Sequence, residues 1–403
     1  MNYSFKIGRI TVSVQSLLML TFSVFYILKM QRAFSGVTLQ GGIWNYIQLF
    51  WIALGFVLFG VYIARFINSS VVMTLLLYSL TALANAFFFL YMNQADIFRF
   101  LMIPYAFCIL VIACTDGFHC DVASNIILTV TFYIIAAMFI VSMFSRGVYS
   151  TKTGAVADVY YVLGLLPLMM IWTKKLKILP MAVCGFAVLT SGKRTGILAF
   201  ALMVAGYYLV NIILSKNIGS QLGELLKLAV IIALFVALFY FVNSRFNGNL
   251  LVRLTRAVED HDTSGRSQRW NHIISEFRET TVLEWLFGHG HGAVSRDFGG
   301  NAHNDFLEIV YDYGISSLLF YVAFLVCTVK EWIGMLLARY EYAPQFLMAI
   351  LFSAALLSFS FYMIDSTYVT SGMLCIGMIM TDYKKKHTPY HALVRDCAAH
   401  REK

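Results

Sequence analysis

Charged residues are scarce in this chain. Asp, Glu, Lys and Arg together make up 13% of its 403 residues, where a soluble domain carries about 25%. So little polar surface cannot face water all round, so lipid must be the main solvent. Short segments of alternating polarity are also missing, which excludes a transmembrane β-barrel. Cysteine is absent from residues 244–311, and none of the seven cysteines (Cys108, Cys114, Cys120, Cys184, Cys327, Cys375, Cys397) forms a CxxC pair. That excludes a disulfide framework and a thiolate zinc site. There is no internal repeat and no low-complexity segment. The first apolar run follows Lys6 and Arg9 but lacks a small-residue cleavage site, so it reads as a first span rather than a cleaved leader.

Apolar sequence fills the space. The chain is 60% hydrophobic and 16% aromatic, with a mean hydropathy of +0.74. Runs of about 17–25 apolar residues, the length a helix needs to cross a bilayer, recur along it. Twelve spans are expected, at 11–29, 43–64, 70–91, 98–115, 123–143, 157–173, 176–191, 195–214, 225–243, 312–330, 346–364 and 368–381. The expected fold is therefore an all-α integral membrane protein. Its parts are transmembrane helices 1–9 in 1–243, a large loop in 244–311, helices 10–12 in 312–381 and a basic tail in 382–403.

The net charge is +9, but the basic residues lie in loops and at the C-terminus. Lys174, Lys175, Lys177, Lys216, Lys227, Lys330, Arg339 and Lys384–Lys386 all fall on one side of the expected spans. The positive-inside rule makes that side cytoplasmic. The charge is then topogenic, and no nucleic-acid partner is expected. The turn Ser191–Arg194 and the 244–311 loop face the other way. In that loop Trp270, Ile273, Ile274 and Phe277 recur at helical spacing, as in an amphipathic helix on the membrane surface or against the bundle. Gly288, Gly290, Gly292, Gly299 and Gly300 mark turns. Asn301–Gly314 reads as a short helix leading into the tenth span.

Three places could carry chemistry. Lys193 and Arg194 sit between two apolar spans, flanked by Gly192 and Gly196, with Thr195 placed to cap the next helix. They suit a phosphate-binding corner as well as two cations snorkelling at an interface. Arg266 and Arg269 are three apart and share a helix face. They fit two-point phosphate contacts, or an exposed basic face on lipid headgroups. His303 could take a proton from a hydroxyl, with an ordinary imidazole pKa near 6.5, or simply cap or pack a helix. Two further patterns weigh less. Asp260-His261-Asp262 resembles a nucleotide-sugar metal site but faces away from the cytoplasm. His289, His291 and His303 lack the ligand spacing of a zinc site. No metal and no cofactor are expected.

Taken in order, and on one side of the membrane, these residues resemble the bacterial O-antigen polymerase and O-antigen ligase superfamily. Arg194 and Leu198 match its Arg-x3-Leu. Ser264-Gly265-Arg266 followed by Trp270 resembles the arginine-to-aromatic helix of its outer loop. His303-Asn304, nine residues, then Gly314 match its His-Asn-x9-Gly. Ile315-Ser316-Ser317 departs from the Gly-Thr continuation of the ligase branch. The resemblance covers roughly 185–330.

It implies a GT-C-like fold in the bacterial inner membrane and metal-independent glycosyl transfer at the periplasmic face. The donor would be a glycan on undecaprenyl diphosphate. The acceptor would be another lipid-linked repeat unit for a polymerase, which the departure favours, or a lipid A-core sugar for a ligase. Catalysis would fall to His303, Arg194 and Arg266, with Lys193, Arg269 and Asn304 binding substrate and a chain-length regulator as a further partner. The rival from another class is a lipid-linked glycan flippase, which should place charges near the midplane in repeated halves.

Overall fold

The computed structural model describes residues 4–7, 10–35, 43–88, 100–115, 122–145, 158–172, 177–245, 251–252, 255, 266–360, 363 and 368–387. Lys174 and Lys175, Cys120 and Cys397, Asp260–Asp262, Ser264, Gly265 and most of the basic tail lie outside these residues.

Described elements begin with a two-stranded antiparallel hairpin, β1 (Ser4–Ile7) and β2 (Ile10–Ser13). This corrects the all-helical expectation at its first residues. Everything after it is helical. The helices are α1 (Val14–Ser35), α2 (Ile43–Val61), α3 (Ile63–Phe66), α4 (Ser70–Phe88), α5 (Met102–Ala113), α6 (Val122–Ser145), α7 (Val159–Trp172), α8 (Ile178–Ser191), α9 (Arg194–Leu214), α10 (Ile218–Arg245), α11 (Arg266–Glu279), α12 (Val282–Phe287), α13 (Ala293–Asp297), α14 (Asp305–Leu337), α15 (Ala343–Phe359) and α16 (Val369–His387).

Four of these, α6, α9, α10 and α14, are long and apolar enough to cross a membrane among the described residues. Seven more are apolar but shorter within those residues. The structure therefore supports a helical membrane protein, and twelve full spans do not follow from helix lengths. The shared core is built from residues such as Tyr26, Trp51, Tyr105, Phe107, Phe132, Tyr160, Tyr321 and Phe352, all fully or almost fully buried. By contrast α10 fully buries only Ile231 and Val242; Leu228, Phe235, Leu238 and Phe239 pack partly against the core, and exposed residues such as Leu226, Ile232, Val236 and Tyr240 suit a lipid-facing helix.

The tenth span shows why one glycine stands where it does. At about 1.5 Å per residue an unbroken α14 would run roughly 50 Å. Its helix breaks at Gly314, where φ is 73° and ψ 175°, and the remaining stretch of about 34 Å fits a hydrocarbon core of about 30 Å. The break strands three carbonyls, and each finds a new donor. Tyr311 O accepts from His289 N at 2.8 Å and Asp312 O from Gly290 N at 2.9 Å. Tyr313 O accepts from the Asn85 amide at 2.5 Å.

The two chains touch backbone to backbone. A Cβ on Gly314 would stand 2.3 Å from Leu286 O, and one on Gly288 2.4 Å from Asp312 O. Ser316, one of the residues departing from the ligase pattern, donates to Leu286 O at 2.7 Å.

Two expected boundaries move. The helix after the large loop begins at Asp305 rather than Asn301, because Asn304 is its N-cap and its side chain accepts from Leu307 N at 3.1 Å. Asn is among the best N-cap residues because its short acceptor satisfies an otherwise orphan N–H. Thr195 does not cap α9. Lys193 occupies that position without a capping side-chain bond, after an αL turn at Gly192 with φ 60°.

Gly314→Ala should destabilise the protein by at least about 1–3 kcal/mol, the cost of a residue held in a backbone region it avoids, before the added clash. Thermal unfolding of the detergent-purified protein checks this. A melting curve unchanged from wild type contradicts the crossing described here.

Candidate active site

The described part of the 244–311 loop folds on its own small core. Ile273, Ala293, Val294, Ala302 and Tyr311 are buried together, with Trp270, Phe277, Phe298 and Leu307 packed around them. Trp270, Ile273 and Phe277 of the α11 stripe therefore face α13 and the start of α14, while Ile274 is exposed. Buried carboxylates of α14 tie the loop down. Asp312 accepts Gly292 N and Val294 N, both at 2.9 Å. Glu308 accepts His303 N at 3.1 Å. Asp305 accepts the Tyr321 hydroxyl at 3.1 Å and Met363 N at 3.0 Å.

His303 lies just before this helix rather than within it. Its φ is 57°, a left-handed conformation that is uncommon for residues other than glycine. The surroundings hold it there. Glu308 holds its N–H, Asn304 starts the helix on its C-terminal side, and α11 grips the chain before it. Arg269 donates to Asn301 O at 2.7 Å and Trp270 Nε1 to Ala302 O at 2.7 Å, while the Arg269 guanidinium packs against Gly300.

The cationic residues from the two distant stretches meet here. Arg266 donates to Phe359 O at 2.9 Å. Thr195, beside Arg194, donates to the same carbonyl at 3.4 Å. Asn304 donates to Ser358 O at 3.3 Å. The final carbonyls of α15 thus gather the start of α9, the start of α11 and the cap of α14. Electrostatics reports the same neighbourhood. Burial lowers the Arg266 pKa, with Tyr160 and Arg194 close enough to act on it. Burial, followed by Arg266, Lys193 and Arg269, lowers His303 from 6.5 to about 4.

The expectation of an ordinary imidazole is therefore corrected. His303 is neutral across the physiological range because a proton there would sit in a poorly hydrated place among three cations. A folded-state pKa below the unfolded value means that its contribution to stability is present above about pH 6.5. That contribution is lost as pH falls through about 4,.

Sequence reading missed several groups that build this place. The carbonyls of Ser358 and Phe359 have no side-chain signature. Glu308 looked like one acid among several. Buried Tyr160, at the start of α7, lies beside Thr195, Ser360 and Arg266. The expected roles of Arg269 and Asn304 are shared with structural work, since each already donates to a backbone carbonyl.

His289 and His291 are engaged elsewhere. His289 stacks on Tyr311 with centroids 4.2 Å apart, and His291 Nδ1 hydrogen-bonds the Tyr313 hydroxyl. Among the described residues no three His, Cys, Asp or Glu side chains converge as metal ligands.

What the arrangement can do follows from its parts. A neutral imidazole sits among cations near the N-terminus of α9, where the first-turn N–H groups and the helix dipole also favour an anion. Elsewhere, basic residues of α16 pair with acids. Lys386 pairs with Glu341 at 2.8 Å and Asp382 at 2.9 Å, and Lys384 with Glu331 at 3.6 Å.

A family model described as O-antigen ligase matches residues 179–322. That stretch runs from α8 through the 244–311 loop into α14 and contains Lys193, Arg194, Arg266, Arg269, His303 and Asn304. No curated protein matches the chain significantly.

The pKa order can be checked with diethyl pyrocarbonate, which attacks neutral imidazole. His303 should keep its reactivity down to about pH 5, well below the midpoint near 6.5 of an imidazole free in solution. Arg266→Ala should move the His303 midpoint upward. A His303 midpoint near 6.5 in the wild type would contradict the buried, cationic surroundings,.

Proposed function

We propose that this chain, a member of the O-antigen polymerase and ligase superfamily, is a surface-polysaccharide polymerase. It would transfer a glycan from undecaprenyl diphosphate to the end of another lipid-linked repeat unit, at the periplasmic face of the bacterial inner membrane. One observation carries the chemical part of this reading: His303 is neutral and stands among Arg266, Lys193 and Arg269, with Arg194 beside Arg266.

The chemistry fits a single displacement. The acceptor hydroxyl oxygen attacks the anomeric carbon, and the bond from that carbon to the diphosphate oxygen breaks. The bonding pair leaves with the diphosphate, and the hydroxyl proton goes to the His303 imidazole. The anomeric configuration inverts.

Charge grows on the leaving diphosphate as the bond breaks, so guanidinium groups aimed there stabilise the transition state more than the ground state. Arg194 and Arg266 are assigned that task, with Lys193 and Arg269 adding field and Asn304 fixing the position of His303. Diphosphate is already a good leaving group, so no protonating acid is required.

The bound diphosphate also changes the base. Its negative charge offsets the cations that make protonated His303 unfavourable, so the imidazole becomes a better proton acceptor once donor is present. Base strength and substrate binding are thereby coupled.

Ligation to a lipid A-core sugar is the second reading, and the matched family model is compatible with either. Polymerase stands first because Ile315-Ser316-Ser317 departs from the ligase pattern. Deletion of the gene separates the two readings by electrophoresis of surface polysaccharide. A lost polymerase leaves one repeat unit on the lipid core. A lost ligase leaves lipid-linked polymer and a bare core. Precursor held facing the cytoplasm would mean a flippase and would defeat both.

His303→Ala should lower transfer by about 10²–10⁴-fold, the usual worth of a general base, in protein that still inserts. Unchanged glycan length would remove His303 from the mechanism. Arg194→Lys should also be poorly tolerated, because an ammonium cannot make a two-point contact; full activity would mean that any cation suffices. Transfer should survive EDTA, and a loss restored by one metal would contradict the mechanism.

A further inference from the structure

The loop carries an apolar face that its own small core does not use. In α12, Val282 is 74% exposed, Leu283 61% and Trp285 42%, and no residue of the helix is buried. The helix is nonetheless well formed. Thr281 and Glu284 close a reciprocal capping box, with Thr281 N donating to Glu284 at 2.9 Å and Glu284 N to Thr281 at 3.3 Å. The face is thus held outward by bonds of its own rather than by packing.

The position of this helix indicates what covers it. The end of α12 crosses α14 at the break. Leu286 O meets Gly314 and accepts from Ser316. Immediately beyond, α14 turns an exposed stripe outward: Leu319, Val322, Val326, Val329 and Ile333. At helical spacing on a membrane span, such a stripe faces acyl chains. The exposed residues of α12 therefore stand where that lipid-facing surface reaches the outer boundary. Tryptophan beside aliphatic residues at that level is the composition of an interfacial anchor, because the indole ring is amphipathic.

We propose that α12 is a lipid-binding element, with Val282, Leu283 and Trp285 seated in the outer leaflet at the headgroup–acyl boundary. The anchor holds the outer loop at a fixed depth. It acts through the Gly288–Asp312 and Gly314–Leu286 crossings on the same helix whose cap fixes His303. The inference does not depend on the reaction assigned to the site.

The test uses the full chain in phosphatidylcholine proteoliposomes. The emission of Trp285 is taken as the difference between wild type and Trp285→Phe, since the chain holds six tryptophans. Phospholipid brominated near the top of its acyl chains should remove most of this difference emission, and aqueous iodide should leave most of it. Emission quenched by iodide and untouched by bromolipid puts the face in water. Emission shielded from both puts it against protein, such as a second copy. Either result overturns the proposal. Should Trp285→Phe fail to fold, Leu283→Cys carrying a polarity-sensitive fluorophore gives the same comparison.

Discussion

Three donors from distant parts of the chain converge on the last two carbonyls of α15. Thr195 comes from the start of α9, Arg266 from the start of α11 and Asn304 from the cap of α14; they meet Phe359 O and Ser358 O. A helix must end with unsatisfied carbonyls. Here that need is met by the residues that surround the site, so the end of one span fixes the relative positions of three others. The dipole at this end is negative and draws cations, which helps hold Arg266 close to Arg194 despite their repulsion. An anion arriving between them would find that repulsion already assembled and would relieve it.

The second organising feature is the break at Gly314. It divides α14 into a membrane-spanning length and a short N-terminal piece, and two of the stranded carbonyls anchor the His289–Gly290 stretch. The N-terminal piece carries three buried carboxylates, each accepting backbone N–H donors. These bonds make the loop a rigid extension of the bundle. A strained residue such as His303 can persist only where its surroundings are so constrained.

Much of this was legible in the sequence. Apolar run length gave the helical membrane class, and the glycine at the end of His-Asn-x9-Gly marked a backbone that side chains could not enter. Lys193, Arg194, Arg266, Arg269 and His303 were visible as candidates because charge is rare in this chain. The start of α14 was misplaced because Asn304 competes with the helix through its own side chain, a contest that helical periodicity does not register. The proton affinity of His303 was misjudged for a different reason. Its neighbours are some 35 to 110 residues away in sequence, and only the folded chain shows their charges acting together. Backbone acceptors such as Phe359 O carry no signature at all.

The central claim is that the base and the cations form one electrostatic unit that a diphosphate completes. The pH dependence of reconstituted transfer tests it most directly. In the free enzyme the acid limb of kcat/KM for donor should follow His303, near pH 4. The acid limb of kcat, which reports the donor complex, should lie at distinctly higher pH, because bound diphosphate offsets the cations. Coincident limbs, or a kcat limb below that of kcat/KM, would contradict the account.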